Sequence, residues 1–98
     1  MIVEEFLLPS RQYVIYRVDN EGETRMSLSV KALDYVNVFI VDEPNFRNYE
    51  NGRTFTHYGS ENITRMIRPV WLPHGGPWYV IIENPQDNDV LLEFKMRA

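Results

Sequence analysis

Apolar side chains in this chain recur at every second position, and hardly anywhere at every third or fourth. A period of two puts successive side chains on opposite faces of an extended strand, so the chain is confined to a β fold. Segment 24–30 shows it most cleanly, with Met26, Leu28 and Val30 on one face and Arg25, Ser27 and Ser29 on the other. Segment 90–96 does the same, with Val90, Leu92, Phe94 and Met96 inward and Leu91, Glu93 and Lys95 outward. Segment 65–72 alternates Met66, Val70 and Leu72 against Ile67 and Trp71. Pro69 interrupts it, and a residue with no N–H to donate predicts a sheet edge or a bulge. Segment 35–41 is apolar on both faces except at Asn37, as a central strand would be, and segment 78–82 is the most buried in character. Segments 13–18 and 24–30, joined through a loop containing Gly22, predict a hairpin. Segment 2–8 is a further strand, held to an edge by Glu4 and Glu5.

No segment has the apolar stripe of a long amphipathic helix. The nearest is 44–51, where Phe46 and Tyr49 share a face and Gly52 follows as a stop. The prediction is therefore an all-β, single-domain antiparallel β-sandwich over residues 1–98, of six to eight short strands, with one short helical turn around 44–51. Its length suits one domain with one core.

Composition narrows the chemistry. The chain has no cysteine, which removes disulfides and thiolate catalysis and favours a reducing compartment. Its start, Met1-Ile2-Val3-Glu4-Glu5, is acidic rather than a basic-then-apolar leader. Apolar runs reach only about five residues, against the roughly 20 of a membrane helix. A soluble, cytoplasmic protein with no membrane partner is the expectation. The net charge of −4 is uneven: within residues 45–79, Arg47, Arg53, Arg65 and Arg68 outweigh Glu50 and Glu61, and the rest of the chain is acidic. Eight of the ten basic residues are Arg, the side chain that grips anions with a rigid fork. This modest basic patch on an acidic body argues against a nucleic-acid surface, which needs many cationic contacts.

Between the strands lies one stretch of different character, 45–59, in which aromatic residues, Asn, Arg and Gly intermingle with no apolar run. A second patch, 72–79, holds Pro73, His74, Gly75, Gly76, Pro77 and Trp78. Flat rings with polar tips beside guanidinium groups suit a binding face. The candidate ligand-binding residues are Arg47, Tyr49, Arg53, His57, Tyr58, His74 and Trp78. A purely structural role is the competing expectation. In it, Phe46, Tyr49 and Phe55 plug one end of the sandwich and Arg53 packs on a ring and organises the loop. Gly52 and Gly59 then take positive φ, and Asn45 caps the helix. No catalytic residue, metal ligand set or cofactor is expected. His57 and His74 stand seventeen positions apart with no ligand spacing, and Ser60 near His57 makes no recognisable triad.

The pattern Asn45-Phe46-x-x-Tyr49-x-x-Gly52-Arg53-x-Phe55-x-x-Tyr58-Gly59, followed by Leu72-Pro73-His74-x-Gly76-x-Trp78-Tyr79-Val80, resembles the bacterial domain-of-unknown-function family 1883. The likeness spans roughly residues 36–82, and Ser60 stands where the family tends to carry a second glycine. The resemblance implies a small all-β domain, found alone or joined to a TIR domain, in bacterial signalling or defence. It implies no activity and no catalytic residue. The functional expectation is a non-enzymatic binding or sensing module, taking a small anionic or sugar-like ligand or a protein partner on the Arg–aromatic face. The alternatives are a homo-oligomeric structural or regulatory subunit and, third, a small His-dependent enzyme.

Overall fold

A computed structural model describes residues 1–97 as six antiparallel strands and one helix. They run β1 (Ile2–Leu8), β2 (Tyr13–Asn20), β3 (Thr24–Asp42), α1 (Glu43–Glu50), β4 (Tyr58–Leu72), β5 (Gly76–Glu83) and β6 (Val90–Arg97). All six belong to one hydrogen-bonded sheet, ordered β1-β6-β3-β5-β2, with β4 on the other side of β3. The sheet doubles over because β3 is 19 residues long and changes partners halfway. Its first half pairs with β6, Val30 opposite Phe94, and its second half pairs with β5, Ile40 opposite Val80. The 15-residue β4 follows β3 around the bend. Register shifts between Lys31 and Val36, and again between Val36 and Val38, mark the corner. Asn62 of β4 takes a φ of 57° at the second shift, and its N–H donates to the Asn37 side chain at 2.8 Å. Bulges of this kind bend a strand and tighten its twist.

Two leaves result, β1-β6-β3-β4 and β2-β5-β3-β4, closed on one side by the bent β3–β4 ribbon. On the opposite side Tyr16 closes the seam. Its ring stacks on Phe94 with centroids 4.1 Å apart, and its hydroxyl donates to Glu4 of β1 at 3.2 Å. The core between the leaves is what the alternation predicts: Met26, Leu28, Val30, Met66, Val70, Leu72, Val90, Leu92, Phe94 and Met96 are all buried. Segments 24–30 and 35–41 prove to be a single strand, and Pro69 sits on an edge strand that among the described residues pairs with β3 alone. Burial also follows the run 78–82 without a break.

The expected hairpin of 13–18 with 24–30 is overturned. β2 pairs with β5, Val18 opposite Trp78, and the Gly22 turn carries the chain from one leaf to the other. A short polar turn between two alternating strands serves an arch between leaves as well as a hairpin within one. Partner choice was decided by the strongly apolar β5, which accepts β2 on one edge and β3 on the other.

A second, smaller core forms outside the β2-β5-β3 leaf, where Phe39, Val41, Tyr79 and Ile81 are covered by Phe46, Tyr49 and Phe55. Phe46 stacks on Tyr79 at 3.9 Å, and Phe55 meets Phe39 and Tyr49 edge-on at 5.4 and 5.3 Å. An eight-residue helix is too short to hold itself; this packing holds it. Asp42, rather than Asn45, is the N-cap, its carboxylate accepting the Asn45 N–H at 3.2 Å. Gly52, at φ 68°, turns the chain out of the helix.

Candidate ligand-binding cleft

The covering segment and the β4–β5 turn meet at one rim of this leaf and leave a cleft of about 140 Å³ between them. Asp42 and Asn45 contribute from the start of α1, Thr56, His57 and Tyr58 from the loop into β4, and Pro73, His74 and Trp78 from the turn and β5. The two aromatic-rich patches of the sequence thus share one concave surface.

Each wall is fixed by a specific bond. Trp78 is only 3% exposed, and its indole N–H donates to the His74 carbonyl at 3.0 Å, tying the turn to the strand below. The His74 ring lies 4.8 Å from the indole. Its Nδ1 is 2.7 Å from the Gly75 carbonyl oxygen and its Nε2 3.3 Å from Asp42 Oδ2, so both ring nitrogens are engaged. Asp42 therefore works in two directions: Oδ1 caps the helix and receives the Asn45 amide at 2.8 Å, while Oδ2 faces His74. Asn45 passes the constraint on, its side-chain oxygen accepting the Thr56 N–H at 2.8 Å. His57 packs 4.6 Å from Phe39, with Nδ1 3.1 Å from the Tyr58 carbonyl oxygen.

Tyr58 is exposed, lies 6.2 Å from Trp78 at 26° between ring planes, and its hydroxyl has no protein partner among the described residues. Its position depends on Gly59. At φ 110° a Cβ there would lie 2.1 Å from the Val38 carbonyl oxygen, so only glycine lets the two strands approach. Beside Tyr58 a second hollow of about 250 Å³ is lined by the far end of β4, from Arg68 to Trp71. The Arg25 guanidinium stands 6.0 Å over the Trp71 ring.

Of the seven candidate residues, His57, Tyr58, His74 and Trp78 line this cleft and Arg47, Tyr49 and Arg53 do not. Arg47 is on the solvent side of α1, paired with Glu43 at 3.2 Å. Tyr49 belongs to the outer core, its hydroxyl donating to Glu83 at 2.6 Å. Partial burial, and then the Glu83 carboxylate, push its ionisation well above the ordinary tyrosine range. Arg53 does not organise the loop. It is exposed, and its side chain makes no hydrogen bond, ion pair or ring contact among the described residues. Only its backbone N–H is used, donating to the Asn48 carbonyl at 2.8 Å. Asp42 and Thr56 were not singled out by their sequence context, and Asn45 only as a helix cap and as part of the family-like pattern. The one available signal was Asp42-Glu43-Pro44, which marks a helix start as well as a strand end.

No protein-family model matches the sequence, and no curated protein matches it either. Among solved structures, the chain is similar to the pre-peptidase C-terminal domain of a collagenase from Bacillus anthracis. The TM-score is 0.72 at 12% identity, over 98% of this chain and 88% of that one. At that identity the likeness establishes a shared all-β fold. No helix among the described residues is long and apolar enough to cross a membrane.

Proposed function

We propose that the protein is a non-enzymatic binding module that takes a small, polar, ring-shaped ligand of sugar-like character in the Trp78–Tyr58 cleft. What carries the proposal is the convergence of both aromatic-rich patches on one concave surface, with the Tyr58 ring and hydroxyl turned to solvent at its mouth. Binding sites for larger organic ligands run from about 300 to 1,000 Å³, so a cleft of about 140 Å³ suits a single ring. The adjoining hollow at Trp71 offers room for a second. The exposed Tyr58 ring offers a face for stacking and its uncommitted hydroxyl a hydrogen bond, with the buried Trp78 as the floor beneath. An anionic ligand is less well served, because Arg47 and Arg53 are absent from the lining and Asp42 is present. A binding role is favoured over acid–base catalysis by His74, both of whose ring nitrogens are already held. The resemblance to family 1883 fits this proposal, and so does a place in a bacterial cytoplasmic signalling or defence system.

Nuclear magnetic resonance titration with a panel of monosaccharides and small anions tests it. The expected result is shifts centred on the Trp78 indole and the Tyr58 amide, caused by the sugars. Tyr58→Ala should weaken binding at least about tenfold, equivalent to 1.4 kcal/mol, while Arg47→Ala and Arg53→Ala leave it unchanged. Shifts that map away from the cleft, or that depend on the two arginines, would overturn the proposal.

A further inference from the structure

The two leaves differ on their outsides. One is covered by α1 and the following loop; the other, β1-β6-β3-β4, is bare. Val3, Leu7, Leu33, Ile67 and Leu91 are exposed there, Leu33 at 81%.

The strand registers set the charges of this face in a row. Glu5 lies opposite Glu93, Glu93 opposite Lys31, and Lys31 opposite Arg65. Read across β1, β6, β3 and β4, the row is negative, negative, positive, positive. Two of its three neighbouring pairs are like charges directly opposite each other, which destabilises a sheet. The molecule does little to relieve this. Among the described residues Glu5, Lys31 and Arg65 form no ion pair. Glu93 is paired with Lys95 of its own strand at 3.4 Å, outside hydrogen-bond geometry, so its Oε1 is buried without a hydrogen bond. In the next row Val3 is opposite Lys95, Lys95 opposite Ser29, and Ser29 opposite Ile67, apolar at both ends.

We infer that this face binds a second copy of the chain across a two-fold axis lying between β6 and β3 and parallel to the strands. That operator exchanges β1 with β4 and β6 with β3. Glu5 then meets Arg65 of the partner subunit, and Glu93 meets Lys31 of the partner subunit. Val3 covers Ile67 of the partner subunit, and each contact occurs twice, as an isologous interface requires. The charge row is antisymmetric about that axis, so a pattern that costs the isolated sheet becomes complementary in the pair. Sheets packing face to face with strands nearly aligned is a standard arrangement. Strand spacing and rise give the face about 500 Å² per subunit. The total of about 1,000 Å² is at the lower edge of specific interfaces, so the dimer is reversible. The Trp78 cleft lies by α1 on the other leaf and stays open.

Sedimentation equilibrium decides the matter. The wild-type chain should show a monomer–dimer equilibrium that shifts toward monomer with added salt. Glu5→Lys with Glu93→Lys makes the row all positive; Lys31→Glu with Arg65→Glu makes it all negative. Each double variant alone should dissociate at least about 100-fold more readily, since facing like charges cost several kcal/mol. An equimolar mixture of the two should recover a heterodimer. Leu33→Asp, at a side chain in open solvent, is a variant the fold tolerates, and it should weaken the dimer about tenfold. A wild type that stays monomeric at about 1 mM, or folded double variants that fail to associate when mixed, would overturn the inference. So would a Leu33→Asp dimer as tight as the wild type.

Discussion

Replacing Phe55 by Ala is expected to loosen the whole covering segment, and replacing its neighbour Arg53 by Ala to do almost nothing. Phe55 is half-buried and meets Phe39 and Tyr49 edge-on with centroids 5.4 and 5.3 Å away. Truncating a fully buried Phe costs about 3–5 kcal/mol, and half that burial brings the figure to about 2 kcal/mol. The two edge-on contacts add about 0.5 kcal/mol or more each, so the expected loss is about 3 kcal/mol. For a domain of this size that lowers Tm by about 12–24 °C. Arg53 is exposed and its side chain makes no hydrogen bond, ion pair or ring contact among the described residues, so its loss should stay within about 0.5 kcal/mol. Urea unfolding followed by tryptophan fluorescence measures both. The test is the difference between two residues that are only two positions apart in sequence. If Arg53→Ala destabilises as much as Phe55→Ala, the loop is held by the guanidinium and the aromatic-cover account is wrong. A Phe55→Ala loss under about 0.5 kcal/mol would sink it equally.

Asp42→Ala should cost about 1–2 kcal/mol in urea unfolding by removing the α1 cap, and Asp42→Asn much less, because Asn caps nearly as well. Equal losses would show that the His74 contact, not the cap, carries the effect. Gly59→Ala should be severe, at least about 3 kcal/mol, because the added carbon meets fixed backbone at a positive φ; a soluble variant with wild-type near-ultraviolet dichroism would contradict this. Tyr16 and Tyr49 both hold their protons above the ordinary tyrosine range, through burial first and then a carboxylate neighbour. The folded state thus binds those protons more tightly than the unfolded one. The associated stability is whole below about pH 10 and is lost as pH climbs beyond it. Denaturation midpoints measured from pH 8 to 11 should fall at the alkaline end, and Tyr16→Phe with Tyr49→Phe should flatten the fall.

Strand positions were legible because burial on one face writes itself as alternation. Met66, Val70 and Leu72 are inward and Ile67 and Trp71 outward, as their spacing requires. Pro69 and the Glu4–Glu5 pair announced edges, since one lacks a donor and the other cannot be buried. Partnership was not legible. The Gly22 turn reads the same whether its strands pair with each other or with β5 and β6, and only the tertiary fit chooses. The continuity of β3 was also hidden, because residues 32–35 break the alternation at the very place where the strand bulges to turn the corner. The cleft was half visible. Aromatic density pointed to His57, Tyr58, His74 and Trp78, which the fold gathers. The anion-gripping chemistry of the guanidinium group also drew in Arg47 and Arg53, which the helix and its exit loop carry outward. Asp42, Asn45 and Thr56 carry no aromatic signal, and their place in the cleft comes from capping geometry.

Asp42 ties these levels together. It is the last residue of β3, opposite Trp78 of β5; it caps α1; and its second oxygen faces His74. A one-residue slip of β3 would send Phe39 and Val41 to the inner face and move Asp42 away from both helix and histidine. The inner core, the outer aromatic core and the cleft are thus set by one register. The stretch 45–59 is ordered because β3 ends where it does, and its polar residues follow from that. Variants within the cleft should accordingly divide into two kinds. Those at Asp42 or Asn45 should change stability and the proposed binding together, and Tyr58→Phe, which removes only a hydroxyl with no partner among the described residues, should change the proposed binding alone.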